Sequence, residues 1–384
     1  MPKRHHLKPL KEQTVVITGA SSGIGLATAL GAADQGARLV LAARDEAALN
    51  EIVAGIRDRG GEAIAVVADV GQRADVRRIA EQAKEHFGGF DTWVNNAGVS
   101  IWGRLDEVSE EDNRRLMDTN FWGVVYGCEV AVEHLRHTGG AIVNLGSMLS
   151  DVAVPLQGMY CASKHAVKGY TDALRLEMEE AGIPISVTLI KPAAINTHFA
   201  ENARNYTGLQ PKLPPPVYKP EEAAAAILYA AETPIRDLYI GSAARMFHTL
   251  GHAAPRLMDR ISEKFMVNAQ LSDQPARNEQ GALHQPNMVG SVDGDTGHRA
   301  QRSVYTRARL NPKTTMAALV AAGLAGWWLV QRRPSALPFV RDAGGWLVRR
   351  AAKTMALAGT VGAAAAPAAA AAAKPAAVAA APAV

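Results

Sequence analysis

A buried strand that runs into a glycine-rich turn and then a helix narrows the choice of fold more than any other feature of this chain. Thr14–Thr18 (TVVIT) is a short, wholly apolar or β-branched run. It is followed by Thr18-Gly19-Ala20-Ser21-Ser22-Gly23-Ile24-Gly25 and by a helical pattern to about Gln35. A strand without polar alternation is covered on both faces, which calls for a parallel sheet with helices on either side. The next 200 or so residues repeat the alternation. Strands are expected at Arg38–Ala43, Ala63–Ala68, Thr92–Asn95, Ala141–Leu145, Ile185–Ile190 and Leu238–Ile240. Helices are expected at Asp45–Arg57, Gln72–Phe87, Ser109–Arg136, Gly158–Glu180 and Pro220–Glu232. Right-handed crossovers turn this order into an α/β, Rossmann-type doubly wound parallel sheet, whose site lies at the carboxyl ends of the strands.

The 384 residues are 48% hydrophobic, enough for a sizeable core. The net charge of +4 is not gathered into a patch in the first 250 residues, so no nucleic-acid partner is expected. Cys128 and Cys161 are the two cysteines; they make neither a disulfide framework nor a zinc site, no metal is expected, and a reducing, cytoplasmic location fits. Met1–Lys11 is basic without an apolar stretch and is not a secretory signal. One more amphipathic helix is expected from Arg245 to about Met266, closing a single Rossmann-type domain over 10–266. The polar stretch 267–313 reads as a disordered linker. The apolar segment 314–330 (TTMAALVAAGLAGWWLV) is about 17 residues long, the lower limit for spanning a bilayer. Trp327 and Trp328 sit near its end, and Arg307, Arg309, Lys313, Arg332 and Arg333 flank it. It is expected either to bring the protein to a membrane or to dock on protein. Residues 331–384 form a basic, then Ala/Pro-rich tail.

The glycine turn, at the start of a βαβ unit, lets the backbone approach a pyrophosphate at a helix N-terminus. Its spacing is G-x-x-x-G-x-G rather than G-x-G-x-x-G. Gly19, Ser21, Ser22, Gly23, Ile24 and Gly25 are the expected contacts. The second strand ends in Ala42-Ala43-Arg44, with no acid until Asp45. Dinucleotide folds that take NAD usually place an acid there for the ribose 2′-hydroxyl, whereas an arginine suits a 2′-phosphate. Arg44 therefore points to NADP(H) over NAD(H); the alternative is a solvated surface charge. Asp69 and Val70, ending the third strand, are expected near the adenine, or Asp69 as a helix N-cap.

Asn95-Asn96-Ala97-Gly98 ends the fourth strand, and Ser147, Tyr160 and Lys164 follow later. Tyr160 and Lys164 are four apart and share a helix face. A phenol with a pKa of about 10 is a poor base at neutral pH. A nearby ammonium is expected to lower that value and make Tyr160 a usable acid–base group. The Ser147 hydroxyl can hold a carbonyl oxygen where negative charge develops. With TGASSGIG, AAR, ADV, NNAG, Asn120 within MDTNFWG, Ser147 within NLGSM, YCASK and KPAAINT in order, the chain resembles the short-chain dehydrogenase/reductase family over Leu10–Gly241. The resemblance implies a Ser147–Tyr160–Lys164 set, with Asn120 holding a water that links Lys164 to solvent. It also implies that Lys164 binds the nicotinamide ribose. Asn96, Ala97 and Gly98 would line the adenosine side, and Pro192, Ile195 and Thr197 would contact the nicotinamide. Family members are usually dimers or tetramers, so a homo-oligomer is expected. Two departures stand out: Ala193 where the family commonly has glycine, and Ser150 where it often has glycine.

His198–Val217 corresponds to the family's variable substrate loop. Phe199, Tyr206, Leu209 and Leu213, with Trp102, Met148 and Leu149, are expected either to cover a hydrophobic, lipid- or steroid-like carbonyl compound or to pack the loop on the body. The expected function is hydride transfer between NADP(H) and a ketone/aldehyde or alcohol. The alternatives are a non-catalytic NADP-binding sensor or scaffold on the same fold, and a membrane adaptor working through the tail.

Overall fold

Every residue of β1 (Thr14–Thr18) is buried, because the strand lies inside a sheet covered on both faces. The computed structural model describes residues 7–287, 290–295 and 299–332. After β1 the chain forms α1 (Gly23–Ala33), β2 (Arg38–Ala43), α2 (Glu46–Asp58), β3 (Glu62–Val67), α3 (Arg73–Phe87) and β4 (Thr92–Asn95). Then come β5 (Ile101–Trp102), α4 (Glu110–Met117), α5 (Gly123–Leu135), β6 (Gly140–Leu145), α6 (Gly158–Glu180), β7 (Ile185–Pro192), β8 (Arg204–Asn205), β9 (Leu209–Pro211), α7 (Pro220–Glu232) and β10 (Asp237–Ile240). The main sheet has seven strands in the order β3-β2-β1-β4-β6-β7-β10, all parallel. The winding direction reverses between β1 and β4, so a crevice opens beyond their carboxyl ends.

Alternation along β1 sorts the core into two layers. Val15 and Ile17 pack with Leu39 and Leu41 against α1 and α7. Val16 packs with Val40, Trp93 and Ile142 against α3, α5 and α6. The doubly wound parallel sheet expected from the sequence is the observed fold.

Four expectations differ from the structure. The helix over Ser109–Arg136 is not continuous: a π-helical turn at Asp118–Trp122 separates α4 from α5 and carries Asn120. One extra residue per turn is a local irregularity that hydrophobic periodicity does not reveal. The helix expected over Arg245–Met266 divides into α8 (Ser242–Ala253), α9 (Pro255–Ile261) and a π-helical turn, followed by α10 (Val267–Gln270). Pro255 lacks an N–H and begins a new helix instead of continuing the old one.

The largest difference concerns 267–313. Instead of a disordered linker, β11 (Leu271–Pro275) pairs antiparallel with β9, Leu283 is fully buried, and α11 (Val304–Leu310) packs beside β10. Thr306 accepts a hydrogen bond from the Gly241 amide at 3.0 Å, and Arg307 pairs with Glu222 at 3.0 Å. A few small or apolar anchors and many backbone hydrogen bonds suffice where composition alone shows only polarity. The first compact unit therefore runs to Asn311.

A second unit begins at Pro312. Its helix α12 (Pro312–Arg332) covers the apolar segment 314–330 and exposes Met316, Leu319, Val320, Leu324 and Trp327. Among the described residues no helix is long and apolar enough to cross a membrane. The spanning reading is thereby overturned: alanine, glycine and threonine dilute the apolarity of the segment. Apart from the last two residues of α12, the expected tail 331–384 lies outside the described residues.

The carboxyl end of β7 holds an unexpected buried charge. Lys191 is 2% exposed, with Nζ 3.2 Å from Asp151, 3.8 Å from Asp237 and 4.3 Å above the Tyr239 ring. His248 approaches the same Asp151 oxygen at 3.0 Å. Asp151, His248 and His252 bring three ligand-type atoms within 4.8 Å of one another, but the Lys191 ammonium already balances Asp151. Removing one member of a buried pair strands the other charge. Lys191→Ala is therefore expected to lower stability by about 3–5 kcal/mol in urea denaturation. An unchanged midpoint and slope would show that the pair contributes nothing.

Candidate active site

The nucleotide end is built by close backbone contacts. Gly19 has φ +66°, and a Cβ there would lie 2.8 Å from Ala97 Cα. A Cβ on Gly25 would lie 2.1 Å from the Gly19 carbonyl oxygen. Only glycine fits either position. Asn96 supports this turn: its Nδ2 donates to the Thr18 carbonyl at 2.9 Å and the Gly19 carbonyl at 3.1 Å. Gly19, Ser21, Ser22, Gly23 and Ile24 line one continuous cleft of ≈ 320 Å³ together with Arg44, Asp69, Val70, Asn96, Ala97, Gly98, Ser147, Tyr160, Lys164, Pro192, Ile195 and Thr197. Gly25 and Asn120 stand behind that surface. Asp69 is not a helix cap: Gln72 holds that position, and Asp69 pairs with Arg115 at 2.6 Å. Arg44 is not a solvated charge either. Its guanidinium donates to the carbonyls of Ala282, Leu283 and His284.

At the other end the π-helical turn aims Asn120 inward. Its Oδ1 accepts from the Val99 amide at 2.8 Å, and its Nδ2 donates to the Val99 carbonyl at 2.9 Å and to Ser163 Oγ at 3.1 Å. Both amide hydrogens are thus committed to protein, leaving a lone pair on Oδ1. Ser147 opens a short 3-10 turn at Met148–Ser150. Ser150 Oγ accepts from the Ser147 amide at 3.1 Å, and Ser147 Oγ accepts from the Leu149 amide at 3.1 Å. The serine in place of the family's glycine thus fixes the Ser147 backbone. Ala193 needs no positive φ: Leu156 (φ +68°) is the non-glycine residue with positive φ among the described residues.

Tyr160 and Lys164 do share a buried face of α6. Lys164 Nζ donates to the Leu145 carbonyl at 2.8 Å and lies 5.7 Å from the centre of the Tyr160 ring. Burial pushes the Tyr160 phenol well above its ordinary pKa, and a hydrogen bond from the Ser147 side chain only partly offsets this. The expected lowering by Lys164 is not what this geometry gives. The ammonium is tied to a carbonyl and sits over the ring, and desolvation of the phenolate outweighs everything else. Burial also lowers Lys164 from 10.5 to about 8.

Phe199 packs edge-on to Tyr160 at 5.3 Å and to Trp102 at 5.9 Å between ring centres. Phe199, Met148, Leu149 and Leu213 line the cleft. Trp102 is fully buried behind them. Tyr206 turns away to Asp112 at 2.7 Å, and Leu209 is exposed in β9. Residues the sequence did not single out also line the cleft: Met266, Gln270, Ala282, Pro286 and Asn287. Gln270 is tied to Gln157 at 2.5 Å. Nothing in a polar, aperiodic stretch marks such positions in advance.

The buried ammonium generates a prediction. Below pH 8 Lys164 is protonated in both the folded and the unfolded chain, so the full cost of burying the charge is present. It fades between pH 8 and 10.5, where only the unfolded chain keeps the proton. Lys164→Met is expected to stabilise the fold at pH 7 by up to about 3 kcal/mol. Thermal melts should show the gain shrink toward pH 10.5; equal melting temperatures at pH 7 would refute it.

Known proteins share this architecture. The family model described as short chain dehydrogenase matches residues 13–207. "Uncharacterized oxidoreductase YxnA" of Bacillus subtilis (strain 168) is 46% identical over 332 residues, 85% of this chain and 92% of that protein. The crystal structure of a short chain dehydrogenase/reductase from Burkholderia phymatum in complex with NAD has a TM-score of 0.58 at 30% identity, covering 64% of this chain and 94% of that one. The alcohol dehydrogenase from the archaeon Thermococcus sibiricus complexed with 5-hydroxy-NADP has a TM-score of 0.53 at 27% identity, covering 59% and 95%. The parallel sheet, the glycine turn and a family match over half the chain make this protein a member of the short chain dehydrogenase family, with an NAD(P)-binding fold and the oxidoreductase activity that goes with it.

Proposed function

We propose that the chain is an NADP(H)-dependent enzyme that interconverts a ketone or aldehyde and an alcohol, with Tyr160 as the proton-transfer group. One observation carries the reading: Ser147, Tyr160 and Lys164 meet at one end of a continuous cleft whose other end is the glycine turn and Arg44. The cradle fits a dinucleotide. Backbone approaches at Gly19 and Gly25 leave no room for a Cβ, and helix α1 presents its N-terminus to the turn, where a pyrophosphate is favoured. Arg44 and Arg115 gather two guanidiniums near the tips of β2 and β3, where a 2′-phosphate would lie.

The bound cofactor supplies or accepts the hydride. The protein's own residues handle the oxygen. In reduction, the Ser147 hydroxyl holds the carbonyl oxygen, and the Tyr160 hydroxyl gives its proton to that oxygen as the carbon takes the hydride. In oxidation the same proton returns to Tyr160. Lys164 would hold the nicotinamide ribose, and it keeps a positive charge beside the phenol. Asn120 fixes the Val99 loop behind them and offers Oδ1 to a water. Phe199, Met148, Leu149 and Leu213 give the substrate end an apolar wall that excludes water and suits a hydrophobic carbonyl compound. A raised phenol pKa keeps Tyr160 protonated at neutral pH, which favours the reducing direction. Exposed Trp122, stacked on Tyr126, and exposed Leu176 support pairing of copies through α5 and α6.

Tyr160→Phe is expected to lower turnover about a thousandfold while cofactor affinity stays within twofold, since a positioned acid–base group contributes roughly 10²–10⁴. Turnover at the wild-type rate would end the acid–base assignment. Arg44→Ala should weaken NADPH far more than NADH in a fluorescence titration; equal loss for both would refute the 2′-phosphate role. The rate of carbonyl reduction should stay level below pH 8 and fall above it as Lys164 loses its proton. A reduction rate that climbs from pH 8 to 10 would contradict this.

A further inference from the structure

We infer that residues 282–284 set the cofactor preference of this chain, by engaging Arg44 while docked and releasing it to a ribose 2′-phosphate when they lift. The inference rests on the reading of Arg44 given above.

The contact is specific. Arg44 Nη1 donates to the carbonyls of Leu283 at 3.1 Å and His284 at 3.3 Å, and Nη2 donates to that of Ala282. Arg115 donates to the same Leu283 carbonyl at 3.2 Å while pairing with Asp69. Both guanidiniums at the tips of β2 and β3 are therefore turned toward one stretch of backbone. That stretch is held from several sides. Leu283 is fully buried against Val99, Ile101 and Leu116. The Ala282 amide donates to the Asn202 carbonyl at 2.7 Å, and His284 meets Asp112 at 2.7 Å. Further along, the Gly23 amide, in the glycine turn, donates to the Ser291 carbonyl at 3.0 Å, and His198 meets Ser291 Oγ at 2.7 Å. Residues 282–287 thus lie at the β2 tip, where Ala282, Pro286 and Asn287 form part of the cleft wall, and Ser291 lies at the glycine turn.

A guanidinium has five N–H donors in one plane, and three backbone oxygens already converge on this one. A phosphate dianion brought to Arg44 would lie beside carbonyl oxygens that carry partial negative charge. A ribose 2′-hydroxyl carries no charge and can itself donate to a carbonyl. At Arg44, residues 282–284 therefore tolerate a ribose 2′-hydroxyl and oppose a 2′-phosphate. With the segment lifted, the Arg44 guanidinium and the Arg115 Nε are released for bonds to a phosphate, in which donor and acceptor are both charged, while Arg115 keeps its pair with Asp69. The 2′-phosphate supplies the differential affinity that a shift between the two positions requires. Weakened docking should then tighten NADPH and leave NADH alone.

The test is a titration of the full chain with NADPH and NADH, comparing wild type, His284→Ala, Leu283→Ser and Arg44→Ala. His284→Ala and Leu283→Ser are expected to tighten NADPH about five- to tenfold, a usual size for such coupling, with NADH unchanged. The gain should vanish when either is combined with Arg44→Ala. Parallel changes for both cofactors, or weaker NADPH binding, would overturn the inference and make the segment a plain wall of the cofactor site. If Arg44→Ala alone weakens both cofactors equally, the underlying reading of Arg44 has failed. If it is selective for NADPH while the segment variants are inert, only the present inference has failed. Leu283 is a core residue, so a second measurement uses the wild type. Amide hydrogen exchange at 282–284 should be faster in the NADPH complex than in the NADH complex; equal or slower exchange would overturn the inference.

Discussion

The hydroxyl of Thr18 joins the two halves of the cleft. It donates to the Val94 carbonyl at 3.2 Å and accepts from the amides of Asn96 at 3.1 Å and Ala97 at 3.2 Å. Asn96 answers through its side chain on the Thr18 and Gly19 carbonyls. The end of β1 and the loop after β4 are thereby locked together where the sheet changes winding direction. Gly19 can then press against Ala97, α1 can begin close to the crevice, and the Val99 loop reaches the residues around Asn120. A turn that must meet a ligand with its backbone cannot be held by side chains of its own, so the neighbouring strand holds it.

Much of this was legible in the sequence because it depends on local rules. Continuous apolar runs at Val15–Ile17 and Leu39–Leu41 announce strands buried on both faces. The glycines announce where the backbone must come close. The four-residue spacing of Tyr160 and Lys164 announces a shared face. What was not legible depends on contacts far apart in the chain. The π-helical turn at Asn120 leaves hydrophobic periodicity almost undisturbed. The partners of Arg44 lie some 240 residues further along, in a stretch whose polarity suggested no structure at all. Leu283 is one apolar residue among polar neighbours, and only its burial in the structure shows that it is an anchor.

The charge state of the site is the other part that residue types could not give. A lysine four residues from a tyrosine suggests an activated phenol. Yet desolvation acts on both groups and drives each toward its neutral form, raising Tyr160 and lowering Lys164. Such a pair spends stability to remain where it is, as functional sites commonly do. The Ser147–Ser150 turn shows the opposite case. There a residue that departs from the family pattern supplies a hydrogen bond in place of the close packing a glycine allows.

The seventh strand has a consequence for where the catalytic body can be cut. Residues 13–207 carry the family match, but β10, which pairs along β7 from Leu189 to Pro192, comes after them. Without β10, α7 and the segment to Asn311, β7 would end the sheet with its peptide groups bare and its apolar side chains uncovered. An open, hydrophobic sheet margin of that kind is a template for strand addition between copies. The later third of the first compact unit is thus also a seal, and a fragment trimmed to the family boundary would be a sticky one.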